Sequence, residues 1–259
     1  MGRGPERLLE SGLGPLLLRL GHKFTREEVR VPGPRPTEIS TTFELCNSVA
    51  TRVRECLEFN VFPLILSGNF NIAIGSIARC GSEQTGVAWF DAHGESTAPE
   101  TTESGFLDGM GISILTGACW RKLAGRIPNF SPVPGNHVLL IGSRDVERAE
   151  IDLLDRMGVH RVTDLEYVLA KIEAISRRIE GVYVHVDLDV VDPKEAVANQ
   201  WTPPGGLTVE KLTQALREIR RHAQVKGLGI PSYDPELDRD QNAAKAACAV
   251  AGSILCAAE

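Results

Sequence analysis

Val182-Tyr183-Val184-His185-Val186-Asp187-Leu188-Asp189-Val190-Val191-Asp192-Pro193 is the stretch whose reading decides the fold. Its first half is an apolar, β-branched run of the kind that forms a strand buried on both faces. Its second half sets carboxylates at the end of that strand, where an uncompensated charge is expensive. A second stretch has the same design: Gly86-Val87-Ala88-Trp89-Phe90 leads into Asp91-Ala92-His93-Gly94-Glu95. Residues two apart on a strand share a face. Asp91, His93 and Glu95 are therefore expected to project together if the extended geometry persists, and so are Asp187 and Asp189. A solvated turn after each strand is the alternative. A bound cation is the usual compensation for such a cluster. Four carboxylates and one imidazole suit a hard or borderline divalent ion, and the dominance of oxygen favours Mn²⁺ over Zn²⁺.

Outward from these stretches, strands and helices alternate. Strands are expected at Pro63–Gly68, Val87–Phe90, His137–Gly142, Val159–Val162, Val182–Leu188 and Val225–Ile230, with a short one in Val29–Pro36. Helices are expected at Pro5–Leu20 (interrupted at Gly12 and Gly14-Pro15), Ile39–Asn60, from Ile72 to Cys80, Met110–Leu123, Arg144–Met157, Leu165–Ile179, Leu207–His222 with Thr208 as cap, and Asn242–Cys256. This alternation predicts an α/β fold with a mainly parallel central sheet covered on both faces. Chemistry in such folds lies beyond the carboxyl ends of the strands. Both acidic clusters fall there, as do Ser67–Asn71 and Ser232-Tyr233-Asp234.

The chain has 259 residues, 42% of them hydrophobic and 24% charged, which fits one large soluble domain without internal repeats or linkers. The net charge of −6 and the lack of a basic stripe argue against nucleic acid as a main partner. No run of about 18 apolar residues occurs, so no membrane span is expected. The first residues lack a signal-peptide core, which makes the cytoplasm the expected location. The six cysteines form no C-x-x-C pair and are expected to be reduced, mostly buried and apolar in role.

The D-A-H-x-acid motif at Asp91, the D-x-D-x-x-D-P motif at Asp187 and Gly205-Gly206-Leu207-Thr208 match, in order and spacing, those of the ureohydrolase (arginase/agmatinase) superfamily, which the chain resembles over nearly its whole length. The resemblance implies a three-layer α/β/α domain over residues 1–259. It also implies a metal-dependent hydrolase, an amidinohydrolase acting on linear amidines. In the family a pair of Mn²⁺ ions shares a hydroxide that attacks a guanidino carbon. By position, Asp91, His93, Asp187 and Asp189 match the ligands of one ion, and Asp91, Asp187 and Glu95 those of the other. A homo-oligomer, trimer or hexamer, is likewise implied.

Departures from the family pattern are informative. Phe70, in Ser67-Gly68-Asn69-Phe70-Asn71, stands where the family has a histidine ligand, and phenylalanine cannot ligate a metal. Glu95 replaces aspartate, Asp108 a loop histidine, and Ser232 a late glutamate. A branch with S-G-N-C-N, S-G-F-x-D-G-M and S-Y-D-P is more similar still, and it includes enzymes that hydrolyse N-hydroxyarginine to ornithine and hydroxyurea. Family members also carry a strand ahead of the Arg3-Gly4-Pro5 segment. Either translation begins upstream, or the sheet is built without that strand, with lowered stability or an oligomer in compensation.

One near-normal Mn²⁺ per chain is expected, with the second weak, exchangeable or absent. Asp91 and Asp189 are the expected catalytic carboxylates. Asp108 either pairs with a guanidinium or caps the helix after it. Asp234 could do the same pairing or form a turn, and Asp192 reads as a turn residue. His185 shares a face with Asp187 one step further in and reads as structural, as do His22, His137, His160 and His222. Two functions stay open: a hydrolase of a small guanidino or N-hydroxyguanidino compound such as arginine or N-hydroxyarginine, or a pseudoenzyme with this fold that binds a ligand or partner without turnover.

Overall fold

The computed structural model describes residues 2–31, 33, 35–81 and 84–256. Six strands, β1 (Leu64–Leu66), β2 (Thr85–Phe90), β3 (Val138–Ile141), β4 (His160–Val162), β5 (Gly181–Val186) and β6 (Val225–Ile230), form one sheet in the order β1-β6-β5-β2-β3-β4. Every pairing is parallel. The helices are α1 (Gly4–Leu8), α2 (Gly14–Arg19), α3 (Glu38–Glu58), α4 (Ala73–Gly81), α5 (Gly111–Leu115), α6 (Arg121–Ala124), α7 (Arg148–Met157), α8 (Leu165–Ser176), α9 (Val209–His222) and α10 (Asn242–Leu255).

The strands alternate their side chains between two cores. Val87 and Trp89 of β2 join Val138, Leu140 and Tyr183 against Phe43 and Val53 of α3 and Ile74 and Ile77 of α4. Ala88 and Phe90 join Leu139, Val184 and Val186 against Leu212 and Leu216 of α9 and Val250 of α10. The result is three layers, α/β/α, with β2 and β5 buried along their whole length. α3 and α4 approach closely because Gly75 offers no Cβ: one placed there would collide with the Cys46 carbonyl.

Most expected elements form, and the exceptions have local causes. Residues 29–31 lie outside any strand, and Pro32 and Pro34 fall outside the described residues. A proline-rich segment lacks the N–H groups a ladder needs. The expected helix at Met110–Leu123 breaks into a 3₁₀ turn (Asp108–Met110), α5 and α6. Gly117 (φ 76°) and Trp120 (φ 49°) are left-handed between them, a conformation no helix continues through. The helix expected from Arg144 starts only at Arg148, after a capping box between Glu147 and Glu150. Thr208 does cap α9, its hydroxyl accepting from the Lys211 N–H at 3.1 Å. The kink before α2 falls at Gly12, with φ 131°. β1 lies at the sheet edge, paired with β6 alone among the described residues.

Candidate metal centre

β2 and β5 are neighbours in register, with Phe90 opposite Val186. Asp91 and Asp187 therefore leave the sheet side by side. The Asp187 N–H donates to the Phe90 carbonyl at 2.9 Å, and the Asp91 N–H to that of Ile141 at 3.1 Å. Beyond this point the chain is not extended, which corrects the shared-face reading. Asp187 instead caps a 3₁₀ turn at Leu188–Val190, its carboxylate accepting from the Asp189 N–H at 3.0 Å. That turn, not strand alternation, swings Asp189 back toward β2, where its Oδ1 accepts from the Ala92 N–H at 3.1 Å. On the other segment His93 bridges to Asp145 beside β3, and Glu95 takes φ 51°.

The outcome is a compact group. His93 Nδ1 lies 3.2 Å from Asp91 Oδ1, 3.3 Å from Asp189 Oδ2 and 3.9 Å from Glu95 Oε1. Asp91, His93 and Asp189 offer ligand atoms that all fall within 4.8 Å of one another. Glu95 adjoins this triad through His93, and Asp187 adjoins it through Asn199, whose amide also meets Asp189. Asp91, Asp187 and Asp189 are buried, and His93 is the most open member, with 25% of its side chain exposed. Glu95 is also buried, and its Oε2 has no hydrogen-bond partner.

Burial, reinforced by Asp189, raises the Asp91 carboxyl to about 6 against the opposing pull of His93. Burial and then the neighbouring acids push Glu95 and Asp187 well above the usual carboxylate range. For His93, burial alone would lower the pKa. Its contacts with Asp189 and Asp91 outweigh that and push it up to about 12. The imidazolium thus occupies the position of a cation among acids. An oxygen-rich donor set with an unpartnered buried oxygen and a surplus of negative charge fits a divalent ion such as Mn²⁺.

The adjoining side of the centre is apolar. Phe70 stands edge-on to Trp89 and to His185, each with ring centroids 6.2 Å apart. Trp89 stacks on His185 at 3.8 Å with 27° between the planes. The Trp89 Nε1–H donates to Asp91 Oδ2 at 3.1 Å. Neither ring nitrogen of His185 has a hydrogen-bond partner, and burial lowers its pKa to about 3.

Asp108 is buried on the loop facing this rim. It does not cap a helix. Its Oδ1 accepts from the side-chain amides of Asn69 and of Asn71, the latter at 2.9 Å. Burial, and next the charge of Glu38, raise it to about 7. Asp234 and Asp192 both accept from backbone two residues on, from Glu236 N–H at 3.0 Å and Lys194 N–H at 2.9 Å, as turn residues do.

Several groups escaped the sequence reading. Asn199 donates to Asp187 Oδ1 at 3.4 Å and to Asp189 Oδ2 at 3.3 Å, so it orients both. Nothing in its local sequence marks it. Arg144 reaches four backbone carbonyls, of Asp189, Val190, Pro203 and Pro204, and ties the Pro203-Pro204 segment to the 3₁₀ turn. Gly206, at φ 131°, lets that segment lie on the turn, since a Cβ there would crowd the Val190 carbonyl. Trp89 did carry a signal, because it stands two residues before Asp91 on a strand and so shares its face.

Comparison with known proteins agrees with this geometry. The model of the arginase family matches residues 2–257. The arginase of Bacillus caldovelox is 29% identical over 231 residues, covering 85% of this chain and 77% of its own. The arginase of Staphylococcus aureus (strain MRSA252) is 29% identical over 219 residues, covering 78% and 70%. The native structure of the B. caldovelox enzyme at pH 5.6 superimposes with a TM-score of 0.87 at 26% identity, covering 99% of this chain and 92% of that one. Arginase from Bacillus cereus superimposes with a TM-score of 0.89 at 24% identity, over the same shares, a likeness of fold. Among the described residues no helix is long and apolar enough to cross a membrane.

Proposed function

The chain belongs to the arginase family, and from that premise we propose that it is a divalent-metal-dependent amidinohydrolase cleaving a C–N bond of a small guanidino or N-hydroxyguanidino compound. The observation that carries this reading is the convergence of Asp91, His93 and Asp189, with Asp187 and Glu95 beside them. These five residues would hold the metal, Mn²⁺ by family. When bound, such an ion supplies Lewis acidity and lowers the pKa of water at the site.

The chain's own residues divide the other tasks. Asp91 and Asp189 accept hydrogen bonds at the reacting centre and fix its orientation. Asn199 holds Asp187 and Asp189 in place. Asp108 has Oδ1 held by two amides and a pKa raised to about 7. In this reading its other oxygen carries a proton near neutral pH and passes it to the departing nitrogen, or, when ionised, pairs with the guanidinium.

We read the centre as mononuclear. Phe70 has no donor atom, and the Trp89 N–H already engages Asp91 Oδ2. The same feature is what favours the pseudoenzyme alternative. The test is elemental analysis after incubation with Mn²⁺ and desalting, alongside assays for urea and hydroxyurea from arginine, N-hydroxyarginine and agmatine. One retained ion with product release supports the proposal. No retained ion and no product would leave a binding role in a homo-oligomer as the better reading.

A further inference from the structure

The segment that carries His93 and Glu95 is gripped from two sides. On one side it is stitched to the turn that carries Asp108: the Ile112 N–H donates to the Glu95 carbonyl and the Thr97 N–H to the Gly109 carbonyl, both at 2.8 Å. On the other side stands Glu150, buried in the first turn of α7. Its Oε1 accepts from the Ser96 N–H at 3.1 Å, and its Oε2 from the Glu147 N–H at 3.1 Å. The Ser96 hydroxyl donates to the Glu150 carbonyl at 3.4 Å. Contact extends back to Gly94, where a Cβ would lie 2.6 Å from Glu150 Oε1.

Between these two grips Glu95 is left-handed at φ 51°, a conformation that an L-residue keeps only where its surroundings over-determine it. Releasing the Ser96 N–H would orphan a buried backbone donor and remove one of the constraints. A shift of Glu95 toward negative φ would re-aim its carboxylate, whose Oε1 stands 3.9 Å from His93 Nδ1. A capping glutamate ordinarily serves its own helix alone. This one divides its two oxygens between the helix start and a loop outside the helix.

We propose that Glu150 is a positioning residue for the metal centre: its Oε1 holds the 94–96 segment on the backbone path that lets His93 and Glu95 face Asp91 and Asp189 together. The role rests on the metal-centre reading above. It acts through His93 and Glu95, with Glu150 itself making no bond to the ion.

The test is Mn²⁺ affinity, read from the disappearance of the free ion's EPR spectrum, with Tm in chelator measured alongside. E150Q keeps the shape of the side chain but only one accepting oxygen. E150D keeps both oxygens on an arm too short to span both N–H groups, and it stands in should E150Q not fold. E147A weakens the same helix start without touching the loop. Mn²⁺ binding is expected to weaken about tenfold in E150Q and E150D, the scale on which outer groups hold metal ligands, and to stay within about twofold of the parent in E147A. The proposal is overturned if the Glu150 variants bind as the parent does. It is equally overturned if E147A, at an equal loss of Tm, loses as much affinity as they do, since Glu150 would then serve only its helix. A parent that binds no Mn²⁺ sinks the centre and this role together. A parent that binds, matched by its Glu150 variants, sinks the role alone and leaves the centre standing.

Discussion

Two halves of one rim, only a few ångströms apart, solve the burial of polar groups in opposite ways. Around His93, acids crowd together with too few donors, and the group is held by an imidazolium. Around Phe70, Trp89 and His185, rings fill the space, and one N–H of Trp89 meets the acids from below. The first half offers donors to a cation; the second is filled by rings. The difference teaches that carboxylates at the ends of adjacent strands can be anchored by backbone N–H groups rather than by each other, so the packing beside them can change without moving them.

Removing Asp91 breaks the comparison most completely, since it touches both halves. D91A should lower Mn²⁺ affinity at least about 100-fold and abolish urea release, as read by elemental analysis and a urea assay. Retention of the parent's metal content would refute the assigned ligand set.

The pH response of the metal-free protein comes next. Asp91 and Asp108 are raised to about 6 and about 7, Glu95 and Asp187 are raised well above the usual carboxylate range, and His93 is raised to about 12. In every case the folded state keeps its protons longer than the unfolded one. The stabilisation is fully present below the unfolded carboxylate values of 3.8 to 4.5 and is lost as pH rises through the folded ones, by an amount on the order of several kcal/mol. In chelator, Tm should therefore fall as pH rises, and Mn²⁺ should restore it most at the alkaline end, about 2.7 kcal/mol at a hundredfold excess over Kd. A flat Tm in chelator would mean the acids are not frustrated.

Turning the aromatic half back toward the polar one sharpens the contrast. F70H should raise retained Mn²⁺ from about one ion toward two, with F70L as the control that cannot. Unchanged metal content in F70H would show that Trp89, not Phe70, closes the position. W89F removes both the N–H from Asp91 Oδ2 and part of a fully buried ring, and should cost about 2 to 3 kcal/mol in the metal-free protein, measured by urea denaturation. A cost near zero would make that hydrogen bond incidental.

Much of this was legible in the chain. Alternating runs such as Val182–Val186 define strands without outside help, and the order of strands and helices fixes a parallel sheet. The acids at 187 and 189 both meet the Asn199 amide, but through a 3₁₀ turn that Asp187 itself caps rather than along one strand face, which a two-residue period cannot reveal. The break after α5 depends on the left-handed Trp120, a residue type that gives no warning. Asn199 and Arg144 act across loops, at sequence distances of 10 to 60 residues from their partners, and no periodicity reaches that far.

The clasp made by Arg144 has a consequence for how such a protein can change. Its guanidinium fixes both the turn that ends at Val190 and the segment resuming at Pro203. The Arg144 bonds at each end of the stretch between them go to main chain, so these two tethers do not depend on what side chains it carries. Provided Asn199, the buried Val191, Ala196 and Ala198, and Glu195, which accepts from the Val209 N–H, are kept, the exposed positions of that stretch can drift, or be exchanged in the laboratory, while the carboxylates stay where they are. New specificities could then be sampled here without first dismantling the chemistry beneath.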